Sequence, residues 1–422
     1  MDVTFRPAHL TGIAAAPASK SEAHRRMICA GLTHGETVLT GFTESADMSA
    51  TRRCLEALGA FLKLEGDRLT LRGYDHKPSL LPLFDCGESG STLRFMVPIA
   101  MALTRGGVFR MQGRLGQRPM NVYRDLFVPR GALWHMSVGA DGAAELTVSG
   151  TLQPGDYTLP GNVSSQFVSG LLFALPLLGQ ESTLTVRPPV ESASYIRMTV
   201  QALIDSGIQA EALDDFSWRI PASSQYQAPS GSLHGDWSQA AVLLCADALG
   251  AEVTVAGLSE ATLQGDRAIL SHLKALGAEP VQTDEGILVR PGRLKGVQLD
   301  LSDCPDIAPI LALVCQLAEG ESLLTGCRRL RLKESDRLSA TVKLLNDLGG
   351  RASEDGDSIR IKGVKQLKGG TVDCARDHRM VMLAAAAGTV AESPVTVHEA
   401  EALDKSWPDF LPLYRRLGGI AE

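Results

Sequence analysis

The chain has 422 residues, of which 44% are hydrophobic and 42 are glycine, and its formal net charge at pH 7 is -7. This length exceeds what one hydrophobic core usually supports, so we expect a globular protein of two domains with many tight turns. The acidic balance argues against a general binder of nucleic acids or membrane surfaces, because both need an excess of cationic side chains. Any anion site must therefore be a local basic cluster.

Eight cysteines are scattered along the sequence without a Cys-x-x-Cys pair or a neighbouring histidine cluster, so we expect reduced core thiols and no metal. The first seven residues do not show a basic segment followed by an apolar one, which is the pattern of a targeting segment. The longest apolar runs, such as residues 167–178, are too short to span a bilayer. We therefore expect a cytoplasmic protein without a membrane partner.

A helix end, a glycine and a short apolar strand recur in this order along the chain. The glycines of the clear copies are Gly59, Gly207, Gly277 and Gly349, and a looser copy has Gly131. Glycine is the usual residue just past the end of a helix, because it adopts the left-handed conformation without strain. The spacing therefore predicts a repeated helix-and-sheet unit.

A sixth copy is complete only if the chain ends meet. The run Leu413 to Gly418 supplies a helix end and cap, and residues 3–5 can supply its strand. Between the copies lie segments that are apolar around most of their circumference, such as residues 308–317 and 381–387, which predicts buried helices. Six units with inner helices predict two domains of threefold organisation.

Joining the termini makes one of these domains discontinuous. We expect it to comprise residues 1–18 and 236–422, and the other domain to comprise residues 19–235. The two crossings of the chain would form a hinge. Because the polar clusters described next precede predicted helices that should face the gap, we expect the active site in the cleft between the domains.

The first polar clusters lie in the inserted domain. Ser19, Lys20 and Ser21 precede a helical run, where backbone N–H groups and the helix dipole favour an anion, although a plain N-cap explains a lone serine there more simply. Gly90 would let a ligand approach the backbone closely. Arg118 is followed by a proline that predicts a helix start, and a surface arginine is the simpler explanation of it alone.

A second group of hydroxyl and amide side chains follows. Ser164, Ser165 and Gln166 precede a buried helix, and a structural cap needs one such residue rather than three. This set suits phosphate and sugar-like hydroxyl groups. Ser192 and Tyr195 add donors of the same kind.

The last clusters combine carboxylates with cations. Asp306 heads an apolar helix, where a cap and a general base are equally good interpretations. If residues 331–337 are helical, Lys333 and Arg337 share a face, and a polyanion would relieve their repulsion. Glu334, between them, could move a proton. The cations expected at helix starts or first turns are Lys20, Arg25, Arg94, Arg118, Lys333, Arg337, Arg379 and Lys405.

With these segments in order, the chain resembles the 3-phosphoshikimate 1-carboxyvinyltransferase (5-enolpyruvylshikimate-3-phosphate synthase) family of enolpyruvyl transferases over nearly its whole length. The Gly-x-Val-Ser-Ser-Gln, Lys-Glu-Ser-Asp-Arg and Asp-His-Arg-Met signatures occur together. The resemblance implies a two-domain inside-out α/β barrel, each domain built from three βαβαββ repeats with buried inner helices.

The resemblance also implies the reaction and its ligands. The enolpyruvyl group of phosphoenolpyruvate (PEP) would pass to the 5-hydroxyl of shikimate 3-phosphate by addition and elimination, with release of phosphate and without a cofactor or metal. Residues matching the shikimate 3-phosphate site are Lys20, Ser21, Arg25, Ser164, Ser165, Gln166, Ser192, Tyr195, Asp306 and Lys333. Residues matching the PEP site are Lys20, Gly90, Arg118, Gln166, Arg337, Arg379 and Lys405.

The implied catalytic residues are Lys20, Asp306 and Glu334. Asp306 or Lys20 would accept the proton of the 5-hydroxyl, and Glu334 would protonate the methylene carbon of PEP. Two departures from the family pattern, Glu88 and Arg329, each put one binding contact in doubt. Since Gly90 leaves room for a phosphonate analogue of PEP such as glyphosate, we expect inhibition by it.

Other activities fit the sequence less well. UDP-N-acetylglucosamine 1-carboxyvinyltransferase shares the fold and chemistry but usually has a reactive cysteine shortly before the arginine matching Arg118, and residues 112–118 contain none. A silent anion-binding protein on the same scaffold should have lost Lys20, Asp306 or Glu334. An RNA-end-processing relative fits the acidic composition poorly. We expect small-molecule substrates, no nucleic-acid partner and a monomer.

Overall fold

A computed structural model describes residues 1–74 and 81–422. The chain folds into two compact units, which we call the split unit (Met1–Pro17 with His234–Glu422) and the continuous unit (Ala18–Leu233). Each unit encloses its own cluster of buried hydrophobic side chains.

The helices alternate with short strands along the chain. They are α1 (Lys20–Gly31), α2 (Ala46–Ala57), α3 (Gly90–Leu103), α4 (Asn121–Phe127), α5 (Ser165–Ala174), α6 (Ala193–Asp205), α7 (Trp237–Ala248), α8 (Ile269–Leu276), α9 (Ala308–Gln316), α10 (Arg337–Asp347), α11 (His378–Val390) and α12 (Phe410–Arg416).

The strands are two to six residues long. Those in the first half of the chain are β1 (Val3–Arg6), β2 (Thr11–Ala15), β3 (Glu36–Thr40), β4 (Phe61–Glu65), β5 (Arg68–Arg72), β6 (Leu83–Asp85), β7 (Gly106–Met111), β8 (Leu133–Val138), β9 (Ala144–Ser149), β10 (Asp156–Pro160), β11 (Ser182–Arg187) and β12 (Glu211–Asp214). The second half adds β13 (Ser217–Ile220), β14 (Gly231–Ser232), β15 (Glu252–Ala256), β16 (Glu279–Gln282), β17 (Ile287–Arg290), β18 (Gln298–Asp300), β19 (Glu321–Thr325), β20 (Ala352–Asp355), β21 (Ser358–Lys362), β22 (Gly370–Asp373), β23 (Val395–His398) and β24 (Ile420–Ala421).

In the described part of the chain these strands form six four-stranded sheets with one topology, a parallel pair followed by two antiparallel partners. The continuous unit contains β14-β3-β5-β4, β6-β7-β9-β8 and β10-β11-β13-β12. The split unit contains β16-β17-β15-β2, β18-β19-β21-β20 and β22-β23-β1-β24. The predicted threefold repeat is therefore confirmed in each unit.

The two chain ends complete one sheet, as the sequence predicts. Strand β1 pairs antiparallel with β23 and with β24, so that Phe5 lies opposite both Val395 and Ala421. The backbone N–H of Thr4 donates to the carbonyl of Glu422 at 2.8 Å. The sixth repeat therefore combines residues from the start and the end of the sequence.

The predicted cap glycines follow helices and have the left-handed backbone that ends them. A positive φ is found at Gly59, Gly131, Gly207, Gly277, Gly349 and Gly418. L-residues with a Cβ are strained in this region, so glycine lets the chain leave the helix and turn into the next strand. These local signals explain why the repeat is visible in the sequence.

The segments predicted as buried helices are α9 and most of α11, and both belong to the hydrophobic core of the split unit. Helices α7, α9 and α11 pack on one another there, and α3 packs on α5 in the continuous unit. All eight cysteines are buried free thiols, which confirms the prediction of core thiols. None of the helices within residues 1–74 and 81–422 has the length and apolar character that crossing a membrane requires.

Candidate active site

The first candidate residues in the continuous unit lie at the start of α1. Ser19 is its N-cap, with the hydroxyl accepting from the backbone N–H of Glu22 at 3.3 Å, so Lys20 and Ser21 are the first two helical residues. Lys20 Nζ lies 2.8 Å from Asp47 Oδ2, and the Lys20 side chain is 24% exposed. A partly exposed cation therefore stands where the helix dipole already favours an anion.

Arg25 connects α1 to α6. It lies in the second turn of α1, so the prediction that it belongs to a first turn is wrong. Its guanidinium donates to Thr199 Oγ1 at 2.8 Å, to the carbonyl of Ser21 at 2.7 Å and to the carbonyl of Tyr195 at 2.8 Å. Burial lowers the pKa of Arg25 to about 10. The side chain fixes the backbone at Ser21 and Tyr195, two other candidate residues.

Gly90 and Arg118 lie against each other. Gly90 is the first residue of α3, after the N-cap Ser89. A Cβ built on Gly90 would lie 2.7 Å from Arg118 Nη1 and 2.9 Å from its Cζ, so only glycine allows the guanidinium this approach. Arg118 follows a 3-10 helix, and α4 begins only at Asn121, so the predicted helix start at residues 118–119 is wrong.

The amide of Gln166 is held at both ends. Arg94 Nη1 donates to Gln166 Oε1 at 2.5 Å, and Gln166 Nε2 donates to Ser91 Oγ at 2.9 Å. Ser164 is the N-cap of α5, and its hydroxyl accepts from the backbone N–H of Gln166 at 3.4 Å. These contacts orient the Gln166 side chain between the first turns of α3 and α5.

Three further candidates lie at helix starts of the continuous unit. Ser165 is the first residue of α5 and is buried. Ser192 is the N-cap of α6 and has a φ of 51°, an uncommon conformation for a non-glycine residue that is frequent at functional sites. Tyr195 is half-buried in the first turn of α6, and its backbone N–H donates to the carbonyl of Ser192 at 3.1 Å.

In the split unit, Asp306 contacts two cations. Lys333 Nζ lies 3.0 Å from Asp306 Oδ1, and Arg337 Nη1 donates to the same oxygen at 2.7 Å. Burial raises the pKa of Asp306, but the charges of Lys333, Arg379 and Arg337 outweigh it and hold this pKa well below its usual range. Burial lowers the pKa of Lys333 to about 8.

The expected helix at residues 331–337 does not form. A 3-10 helix ends at Leu332, Lys333 is extended, and α10 begins only at Arg337. Asp336 is the N-cap of α10, its carboxylate accepting from the backbone N–H of Ser339. Lys333 and Arg337 therefore do not share a helix face, and their common partner Asp306 brings them together.

Arg337 is the centre of this cluster and is 1% exposed. Its Nη2 donates to Glu334 Oε2 at 2.8 Å, and its Nε donates to Asp377 Oδ2 at 2.9 Å. Burial lowers the pKa of Arg337, but Asp377, Glu334 and Asp306 outweigh it and raise this pKa above its ordinary value. One guanidinium thus orients both expected catalytic carboxylates of this unit.

Asp377 and Asp236 support the cations, and the sequence reasoning did not assign either to the site. Asp377 is the N-cap of α11 and accepts from the backbone N–H of Arg379 as well as from Arg337. Asp236 is the N-cap of α7 and accepts from the hydroxyl of Ser238 at 2.6 Å. Ser238 in turn accepts from Arg379 Nη2 at 2.7 Å. An aspartate preceding an apolar helix was the available signal in both cases.

The remaining cation of the split unit is Lys405. It ends the 3-10 helix Ala400–Lys405 and is 7% exposed, so it precedes α12 rather than starting it. Arg379 is the second residue of α11 and Arg337 the first of α10, as expected.

The structure thus brings the candidates together as two groups. In the split unit Asp306, Lys333, Glu334 and Arg337 are in direct contact. In the continuous unit the contacts are pairwise: Gly90 lies against Arg118, Gln166 contacts Arg94 and Ser91, and Lys20 contacts Asp47.

A family model and sequence relatives point to one kind of protein. The model described as EPSP synthase (3-phosphoshikimate 1-carboxyvinyltransferase) matches residues 5–413. A 3-phosphoshikimate 1-carboxyvinyltransferase from Clostridium kluyveri is 38% identical over 417 residues, which cover 99% of this chain and 97% of the relative. One from Clostridioides difficile is 35% identical over 424 residues, which cover 98% of this chain and 96% of the relative.

Solved structures share the fold over the full length. An EPSP synthase from Acinetobacter baumannii matches with a TM-score of 0.82 at 24% identity and covers 100% of this chain and 99% of that one. The enolpyruvyl transferase NikO from Streptomyces tendae matches with a TM-score of 0.74 at 18% identity and covers 100% and 98%. The expected two-domain inside-out α/β fold is therefore confirmed.

Proposed function

The chain belongs to the EPSP synthase family, and we propose that it transfers the enolpyruvyl group of PEP to the 5-hydroxyl of shikimate 3-phosphate, releasing phosphate, as a step of the shikimate pathway. The observation that carries the proposal is the buried Arg337, which binds Asp306 and Glu334 at once. A cation able to hold a substrate carboxylate thus lies beside two groups that can move protons.

The ligands follow from the chemistry of the two groups. The hydroxyl and amide side chains of the continuous unit suit the hydroxyls and phosphate of shikimate 3-phosphate. Lys333 and Asp306 are further proposed ligands of this substrate, by their match to the family motifs. PEP carries a phosphate and a carboxylate, and its proposed partners are the cations of both units. These are Lys20, Arg118, Arg337, Arg379 and Lys405, with Gly90 and Gln166 beside them.

In the proposed addition step, Glu334 gives its proton to the methylene carbon of PEP, and the neighbouring carbon becomes electrophilic. The 5-hydroxyl oxygen attacks that carbon while Asp306 or Lys20 accepts the hydroxyl proton. In the elimination step, Glu334 removes a proton from the new methyl group, the double bond forms again and the carbon–oxygen bond to phosphate breaks. Both steps need water to be excluded, since water could attack the same carbon.

The contacts of Arg337 suggest how the binding of PEP would change the hydrogen bonds of Asp306 and Glu334. Bound to Lys333 and Arg337, Asp306 has a lowered pKa and is a weak base. A PEP carboxylate that binds Arg337 would replace Asp306 or Glu334 at one edge of the guanidinium. The displaced carboxylate would lose its contact with Arg337 and could turn toward the substrates. Binding of PEP and activation of one of these two carboxylates would thus be one event.

The test is phosphate release from PEP with shikimate 3-phosphate or UDP-N-acetylglucosamine as acceptor. We expect release with shikimate 3-phosphate alone, and a loss of about 10²- to 10⁴-fold in kcat in Glu334→Gln. Glu354→Gln is the matched control, because Glu354 is a partly exposed partner of Arg331. Release only with the nucleotide sugar would overturn the acceptor, and release with neither would favour the silent scaffold.

The cytoplasmic location and the monomeric state stay predictions. They accord with a biosynthetic enzyme that acts on small, charged metabolites. Light scattering of the purified protein during gel filtration measures the second of them directly, since a monomer has a mass of 44.9 kDa.

A further inference from the structure

Four buried side chains form a hydrogen-bonded chain across three helices of the continuous unit. His24 Nδ1 on α1 lies 2.7 Å from Thr51 Oγ1 on α2. Thr51 Oγ1 lies 2.7 Å from Thr92 Oγ1 on α3, and Thr92 Oγ1 donates to Ser89 Oγ at 2.7 Å. Each of the four residues is at most 1% exposed. We call this set the His24 chain.

The donors and acceptors of the His24 chain can be arranged in one direction only. A threonine hydroxyl has a single proton, so Thr92, which gives its proton to Ser89, must accept from Thr51. Thr51 has then used its own proton and must accept from His24 Nδ1. The chain therefore requires His24 to carry a proton on Nδ1, and it begins at the imidazole and ends at Ser89.

The end of the chain is the first turn of α3. Ser89 is the N-cap of this helix and also accepts from the backbone N–H of Thr92. The next residue, Gly90, lies against the guanidinium of Arg118, and the one after it, Ser91, accepts from the amide of Gln166. A shift of this turn would therefore move the surroundings of two proposed PEP ligands together.

We propose that His24 is a positioning residue for PEP: through Thr51 and Thr92 it fixes the N-cap Ser89, and so the placement of Gly90 against Arg118 and of Ser91 against Gln166. The proposal rests on the proposed function, since it assumes that Arg118 and Gln166 bind PEP. His24 touches no substrate in this role. Its effect should be larger on the binding of PEP, which has both Arg118 and Gln166 as proposed ligands, than on that of shikimate 3-phosphate, which shares only Gln166.

The chemistry of the chain defines the variants. His24→Leu removes the first donor, and Thr92→Val removes the link to Ser89 with little change of shape. His24→Asn retains an N–H near the place of Nδ1 and should restore the chain. Thr104→Val is the matched control, because Thr104 is buried at the other end of α3 and its hydroxyl proton is shared between the carbonyls of Ala100 and Gly106, outside the His24 chain.

The measurements are the KM for PEP and kcat from phosphate release, the Kd for shikimate 3-phosphate by calorimetry, and the melting temperature. We expect His24→Leu and Thr92→Val to raise the KM for PEP by roughly 10- to 100-fold, the range for a displaced charged contact. The Kd for shikimate 3-phosphate should change by a smaller factor than the KM for PEP, because Gln166 is the only ligand that the two substrates share among those next to the first turn of α3. His24→Asn should lie within threefold of the unaltered protein, and Thr104→Val should lower only the melting temperature.

Three results would overturn the proposal. The first is an unchanged KM for PEP in His24→Leu or Thr92→Val, and the second is an equal rise of this KM in His24→Asn and His24→Leu. The third is a rise in Thr104→Val as large as that in Thr92→Val. Calorimetric titration of glyphosate in the presence of shikimate 3-phosphate tests the same variants without turnover. If the unaltered protein binds this phosphonate but releases no phosphate, the proposed reaction fails, while weaker phosphonate binding in His24→Leu would still support the role of His24.

Discussion

Lys333 Nζ lies 3.0 Å from Asp306 Oδ1, and the two groups are only 17% and 18% exposed. Burial disfavours both charges, yet the effect on the two pKa values differs. Burial lowers the pKa of Lys333 to about 8, because Asp306 and Glu334 do not compensate for the lost hydration and for the nearby Arg329 and Arg337. The pKa of Asp306 stays below its usual range, because several cations surround that carboxylate.

The lowered pKa of Lys333 predicts how activity depends on pH. If Lys333 binds shikimate 3-phosphate as a cation, kcat/KM for this substrate should fall as the pH rises through about 8, because the ammonium loses its proton. Lys333→Arg keeps the positive charge at high pH and should move the falling limb upward by at least one pH unit. The measurement is the pH profile of kcat/KM between pH 6 and pH 10.

Lys343→Arg is the control for this profile, because Lys343 is an exposed partner of Asp347 on α10. It should leave the falling limb in place. An unshifted limb in Lys333→Arg would assign the titration to another group.

The repeated architecture could be predicted because its signals are local. A glycine after a helix end carries its own conformational reason, and the apolar circumference of α9 follows from nine consecutive residues. The meeting of the two chain ends was also predictable, because the sixth helix end and cap needed a strand that residues 3–5 could supply. Signals of this kind need no knowledge of distant contacts.

The conformation of residues 331–337 could not be predicted in the same way. Their charges suggested a helix face, but Lys333 is extended and contacts Asp306, and Arg337 contacts Asp377. Both partners are distant in sequence, so spacing alone does not reveal them. Asp47, the partner of Lys20, was missed for the same reason. The ligand roles of the predicted site residues stay predictions until substrates are bound.

The contact between Gly90 and Arg118 predicts how adding a methyl group at residue 90 changes the binding of PEP. In Gly90→Ala the new Cβ would lie 2.7 Å from Arg118 Nη1, and the flexible arginine rather than the backbone would move away. We expect the KM for PEP to rise by about 10-fold or more, as for the loss of a charged hydrogen bond. Inhibition by glyphosate should weaken at least as much. Steady-state kinetics with both compounds measure these effects.

Gly35→Ala is a control for the added methyl group, because its Cβ would meet Thr33 Cγ2 at an ordinary 3.8 Å. It should leave the KM for PEP unchanged. An unchanged KM in Gly90→Ala would mean that Arg118 does not bind PEP from its position beside α3.

Asp247 predicts a pH-dependent stability of the split unit. It lies in α7, is 1% exposed, and its carboxylate accepts from the backbone N–H groups of Val253 at 2.8 Å and Val289 at 3.2 Å. Burial raises its pKa to about 7 from the ordinary value of 3.8. A raised pKa in the folded state means that the stabilisation is complete below about pH 4 and is lost as the pH rises through about 7.

The side chain in Asp247→Asn does not titrate. Comparing this variant with the unaltered protein therefore isolates the contribution of Asp247 to the pH dependence of the free energy of unfolding. The Asp247→Asn variant should be less stable than the unaltered protein at pH 5, because the side-chain N–H₂ group would face a backbone N–H group, and two donors cannot form a hydrogen bond. The difference in free energy of unfolding should shrink by about 3 kcal/mol between pH 5 and pH 8, at roughly 1.4 kcal/mol for each pKa unit. Urea unfolding of both full-length chains at several pH values measures it. A difference that stays constant or grows with pH would mean that Asp247 is already ionised at pH 5, held by its two backbone donors.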